Sequence, residues 1–126
     1  MDVYNKEVRS ILEHAVPVWH SGLTRKQTDQ IEKVQKTAFR IILGQNYKSY
    51  RNALAFFKLK TLKDRRLQLC LSFGNKSSRS TKFNVWFKNR SKSARTKSSI
   101  RVPTSRTSTY EKSPLVYLTN LLNAHR

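Results

Sequence analysis

Apolar and polar positions alternate in a way that predicts four helices, a long polar stretch and a short final helix. Tyr4, Val8, Ile11, Leu12 and Ala15 recur at the three- and four-residue intervals of one helix face, with Asp2 placed as an N-cap. Pro17 lacks an N–H and disfavours helical backbone at Val16, so the first helix is expected to end or kink there. Gly22 marks a turn, and Thr24 with Gln27 has the spacing of a capping box. The second helix carries the stripe Ile31, Val34, Ala38, Ile41 and Ile42, with Gly44 as its stop. A shorter helix after Ser49 shows Tyr50, Ala53, Leu54 and Phe57. Thr61 and Asp64 resemble another cap, ahead of Leu62, Leu67, Cys70, Leu71 and Phe73, and Gly74 is expected to close that helix.

Beyond Gly74 the pattern fades. Residues 75–112 are rich in Ser, Thr, Lys and Arg and offer too little apolar surface to offset chain entropy, which predicts disorder. FNVWF (residues 83–87) interrupts them as a short alternating aromatic and apolar segment. In SPLVYLTNLLN, Ser113 is placed as N-cap and Pro114 at the first helical position. Leu115, Leu118, Leu121 and Leu122 share a face there, an amphipathic helix that needs a surface to lie against. The expected fold is therefore mainly α. A small bundle of about four helices spans 1–73, a basic, mostly disordered segment spans 74–112, and a short helix spans 113–126. A core built from roughly 70 residues is marginal without a partner.

Charge sharpens the picture. The chain has 26 Lys and Arg against 7 Asp and Glu, a net charge of +19. Such a field attracts polyanions, with RNA or DNA the first partner to consider and an anionic membrane surface the second. Arg25, Lys26, Lys33, Lys36 and Arg40 lie on one helix with only Asp29 and Glu32 to offset them, and Lys58, Lys60, Lys63, Arg65 and Arg66 follow. In the polar stretch, Arg90, Lys92, Arg95 and Lys97 recur every two or three positions among small hydroxylated residues. That spacing can track a phosphate backbone without reading bases. Phe83, Trp86 and Phe87 could stack on unpaired bases or dock on a protein.

Signals for catalysis are missing. No two acids stand within two residues of each other, so no D-D or D-x-D pair is present to hold catalytic cations. Three widely spaced glycines make no phosphate loop. One cysteine and three scattered histidines give no metal-ligand spacing and no internal disulfide. Cys70, within LQLCLSF, reads as a core thiol. His14 reads as a boundary residue, His20 as exposed, and Trp19 as an anchor between packed elements. Neither an enzymatic activity of the chain by itself nor a cofactor is expected. MDVYNKEVRS does not have the form of a secretory signal, and no run approaches the ~20 apolar residues of a membrane span. An intracellular setting, nuclear or cytoplasmic, is expected.

Four segments in order carry a resemblance: VRSILEHAVPVWHSGLT, IEKVQKTAFRIILG, YRNALAFFKLKTLKDRRLQLCLSF and SPLVYLTNLLN. Together they resemble the C-terminal region of non-LTR retrotransposon reverse transcriptases, nearest the jockey-like branch. Those enzymes show an R-x-x-L-E-Y-A-x-x-V-W segment opening the helical thumb, an I-E-x-V-Q-x-x-A-x-R helix, an L-x-x-R-R-x-x-L segment and a Tyr-Leu-x-x-Leu-Leu-Asn ending. The resemblance implies that Leu12, Trp19, Ile31, Val34, Ala38, Leu62 and Leu67 are packing positions of thumb and post-thumb helices. It also implies that Arg40, Arg65 and Arg66 are recurrent basic positions. His14 stands where tyrosine is usual.

Fingers, palm and catalytic aspartate pair, endonuclease and Cys/His knuckle have no counterpart in these residues. The chain thus resembles the tail end of such a polymerase, beginning at its own Met1, with helices that would cradle an RNA–DNA duplex. The missing palm, or another protein met through the C-terminal helix, is a further expected partner. The alternatives are a helical protein-interaction module and a decayed transposable-element product without present function.

Overall fold

A computed structural model of the chain describes residues 2–87 and 100–125. Among them the backbone is mainly helical, with no strand. The helices are α1 (Arg9–Glu13), α2 (Val16–Trp19), α3 (Arg25–Leu43), α4 (Tyr50–Phe57), α5 (Leu62–Arg79), α6 (Ser108–Glu111) and α7 (Pro114–Ala124). They are divided between two compact units. One comprises Met1–Val16 and Leu23–Leu67, the other Pro17–Gly22 and Gln68–Arg126.

In the first unit, a π-helical turn (Tyr4–Val8) leads into α1. Asp2 is itself helical and caps nothing. The break comes before Val16: His14 is already extended and Ala15 takes left-handed backbone at φ +51. Pro17 then falls in the first turn of α2, where its missing N–H costs no hydrogen bond. The capping box of α3 forms, with the Gln27 N–H donating to Thr24 Oγ1 (3.2 Å) and the Thr24 N–H donating to Gln27 Oε1 (3.0 Å). Gly44 ends α3 at φ +54. Ser49 and Thr61 accept from the N–H groups of Asn52 and Asp64, both at 3.2 Å.

The core of this unit forms around Phe39, whose ring centroid lies 5.6 Å from Tyr4, 5.9 Å from Tyr50 and 5.1 Å from Phe57. Ala53 is buried beside them, with Val8, Ala38, Leu43 and Leu54 packed around. This corrects the expected face of α3. Phe39 and Gln35 are its buried residues, whereas Val34, Ile41 and Ile42 are 44%, 78% and 42% exposed. The physical reason is aromatic volume: three rings from two other segments converge on Phe39, and no aliphatic residue of α3 could fill that space as well. Leu67, another implied packing position, is also largely at the surface, while Leu62 is buried.

In the second unit, α5 does not stop at Gly74 but continues to Arg79. The glycine serves close packing instead: a Cβ there would sit 3.3 Å from Leu122 Cδ2 of α7. Cys70, Ser77, Val116, Leu118, Thr119 and Leu122 are buried. The leucine face of α7 is thus covered within its own unit, with Leu115 and Leu121 half-buried at its margin. FNVWF is not an extended segment; Asn84–Trp86 forms a 3-10 turn that leaves Phe87 buried. Ile100 is buried too, and the Asn123 side chain fixes its backbone, accepting from the Ile100 N–H (3.0 Å) and donating to its carbonyl (2.9 Å). Helical backbone thus reaches Arg79 and recurs at Asn84–Trp86 and Ser108–Glu111, inside the stretch where composition predicts disorder. Residues 88–99, including Arg90, Lys92, Arg95 and Lys97, lie outside the described residues.

Candidate nucleic-acid interface

Three distinct faces run along α3. At 3.6 residues per turn, Arg25, Lys26, Lys33, Lys36 and Arg40 fall within an arc of about 100° and over about 22 Å of helix. Arg25, Lys26, Lys33 and Arg40 are exposed, and none forms an ion pair among the described residues. Two of the five are steadied by rings: Lys36 Nζ lies 5.1 Å from the Tyr50 centroid and the Arg40 guanidinium 5.4 Å from that of Tyr47. Such cation–π contacts hold a charge in place without neutralising it. Asp29 is the one acid within this arc.

Glu32 does not belong to that surface. Its Oε1 accepts from the Tyr50 hydroxyl and from the Leu62 N–H at 3.2 Å, next to the buried Gln35. Gln35 Oε1 accepts from the Tyr4 hydroxyl, and Gln35 Nε2 donates to Tyr50 Oη (2.8 Å) and to the Lys60 carbonyl (3.4 Å). The two polar letters of the I-E-x-V-Q segment are therefore spent on tying α3 to Tyr4, α4 and the start of α5. This network is absent from the sequence reading, which places Glu32 among the charges that offset the cations. Burial pushes the Tyr4 phenol up to about 12, against a smaller opposing effect of Arg9. Burial, followed by the hydrogen bond to Glu32, raises Tyr50 as well.

Among the remaining expected cations, Lys63 is exposed. Arg65 is partly exposed, and its Nε lies 3.2 Å from Glu13 Oε1, a carboxylate oxygen also held by Arg9 Nε at 2.7 Å. Arg66 differs from its neighbour: at 1% exposure its side chain lies in the interior. One residue further along a helix is a rotation of about 100°, enough to turn one arginine outward and its neighbour in.

His14 is exposed, Trp19 half-buried and Cys70 fully buried. His20 is half-buried rather than exposed, its ring edge-on to Tyr117 at 5.4 Å. Among the described residues, no group of three or more His, Cys, Asp or Glu comes together to hold a metal ion, and no helix is long and apolar enough to cross a membrane. In comparisons with family models, curated proteins and solved structures, nothing matches the chain.

Proposed function

We propose that this chain binds nucleic-acid backbone without sequence preference and is non-catalytic by itself, as the C-terminal fragment of a retrotransposon RNA-directed DNA polymerase of the non-LTR, jockey-like kind. The observation that carries the binding part of this reading is the cationic face of α3: four exposed cations without ion pairs among the described residues, on a helix whose Glu32 is turned inward. A rigid helix bearing charges on one arc suits the phosphates of a duplex, and the basic residues Arg90, Lys92, Arg95 and Lys97 add further positive charge to the chain. The polymerase origin rests on the ordered sequence segments alone. The test is binding of a duplex oligonucleotide across a salt series. Six to ten phosphate contacts lose ~10³–10⁵ in affinity between about 50 and 200 mM salt; an affinity that hardly moves over that range refutes a backbone-dominated mode.

A second reading, a helical protein-interaction module, is favoured by the third face of α3. Val34 and Ile41 are exposed there beside Ala38 and Val8, in an open depression edged by Lys33. Replacing Val34 and Ile41 with Ser weakens a protein partner under that reading while leaving the salt slope of nucleic-acid binding as it was.

A further inference from the structure

The second unit contains a cleft of about 380 Å³ with almost wholly apolar walls. Four aromatic side chains line it: Phe73, Trp86, Phe87 and Tyr110. Phe87 is buried and forms the floor, while Phe73, Trp86 and Tyr110 remain 45%, 53% and 41% exposed. Phe83 packs on Trp86 with centroids 4.9 Å apart and so holds the indole in its orientation. Two serine hydroxyls interrupt the apolar lining. Ser77 is 5% exposed, and Ser113 Oγ is buried with no hydrogen-bond partner among the described residues. A buried hydroxyl without a partner is costly, and a ligand edge that bonds it recovers that cost.

We propose that this cleft receives an unpaired base of single-stranded nucleic acid. Three features of the site select that occupant. The volume and the concentration of aromatic rings suit a flat, aromatic ligand. The hydroxyls can donate to or accept from a base edge, as a serine is able to do either. The sequence bordering the lining is basic: Lys76 adjoins Ser77 and Lys112 adjoins Ser113, both exposed, against Glu111 as the neighbouring acid, while Lys76 itself lines a separate depression with Arg79. The chain then runs from Phe87 directly into Lys88, Arg90, Lys92, Arg95 and Lys97 without an intervening acid. A polyanion carrying planar aromatic groups answers both the walls and the field, and aromatic platforms beside basic segments are how single strands are held without sequence readout. The inference rests on the backbone-binding reading above and adds to it a preference for unpaired strand.

The experiment uses the full chain and three probes of about 12 nucleotides: oligothymidylate, an abasic strand with the same number of phosphates, and a duplex. Oligothymidylate is expected to bind roughly 5- to 150-fold more tightly than the abasic strand, the range for one base stacked on an aromatic side chain. Trp86→Ala should erase that difference while duplex affinity and salt slope stay unchanged, and Trp86→Phe should keep most of it. Trp86 is largely exposed, so neither substitution threatens the fold. Equal affinity for the thymidylate and abasic strands, or a preference that survives Trp86→Ala, overturns the proposal. So does displacement of Trp86 contacts by a proline-rich peptide with no effect of oligothymidylate, which assigns the cleft to a protein segment. Failure of the two readings is distinguishable: equal strand affinities with a steep salt slope remove only the base site, whereas the absence of any salt-dependent binding removes the backbone reading as well.

Discussion

Tyr4 donates its hydroxyl hydrogen to the Oε1 of Gln35, 31 residues further along the chain, and both side chains are buried. That bond closes the N-terminal turn onto α3, and the Gln35 amide continues it to Tyr50 and the Lys60 carbonyl. One glutamine thereby meets three segments, and the neighbouring Glu32 bonds two of them again through Tyr50 and the Leu62 N–H.

Gln35→Ala should destabilise the first unit by about 2–3 kcal/mol, since it strands the Tyr4 hydroxyl and opens space next to Phe39. Gln35→Glu retains the volume but replaces an amide donor with an acceptor facing Tyr50, and should also be destabilising. Urea unfolding of the full chain followed by circular dichroism measures both; a midpoint equal to that of the unsubstituted chain contradicts the network's role.

Alkaline pH should loosen the same unit. A phenol raised to about 12 in the folded chain binds its proton more tightly there than in the unfolded chain, where it titrates near 10. The associated stability is therefore fully present below about pH 10 and is lost as pH rises towards 12, amounting to on the order of 2 kcal/mol. Tyr4→Phe should show a shallower decline over that window. An identical alkaline profile for the two proteins counts against the buried phenol.

Arg65 and Arg66 should separate cleanly despite being neighbours. Arg66→Ala removes a side chain that is 1% exposed and should cost roughly 2–4 kcal/mol, visible as a weakened or lost cooperative transition. Arg65→Gln should cost at most about 1 kcal/mol, because the arginine is partly exposed and Glu13 keeps its bond to Arg9. Equal effects in thermal unfolding would place the two residues wrongly.

On the cationic face, Lys33→Gln and Arg40→Gln should each lower affinity for duplex alike across sequences and reduce the logarithmic salt slope by about 1. Asp29→Asn, removing the acid within that arc, should act in the opposite direction. Polarisation titrations at several salt concentrations provide the slopes, and three unchanged slopes would clear this face of phosphate contacts.

Gly74→Val should destabilise the second unit by about 1–3 kcal/mol, as the added branches meet the buried Leu122 already 3.3 Å from a Cβ position. If Gly74 were only a surface helix breaker, the same change would be neutral or stabilising. Calorimetric melting distinguishes the two signs.

What the sequence determined by itself was local. The Thr24–Gln27 box, the Ser49 and Thr61 caps, the Gly44 stop and the Pro114 start all form where the residue types predict, because each bond closes within three or four residues and needs no distant partner. The density and sign of charge, the mainly helical class and the lack of acid pairs or ligand spacings were legible for the same reason.

Only the tertiary structure decided which way each helix faces. Periodicity identified an aliphatic stripe on α3, but Tyr4, Tyr50 and Phe57 converge from elsewhere in the chain on Phe39 and leave Val34 and Ile41 outside. Glu32 and Gln35 look like surface residues until two tyrosine hydroxyls, 31 and 15 residues from Gln35, are brought against them. Gly74 reads as a stop until Leu122 is packed over it, and Phe73, Trp86, Phe87 and Tyr110 form one cleft only after α5, the turn beyond it and the α6–α7 segment fold together. Burial is a property of pairs of surfaces, so it cannot be assigned from one helix alone; caps and charge belong to a short stretch of chain, so they can.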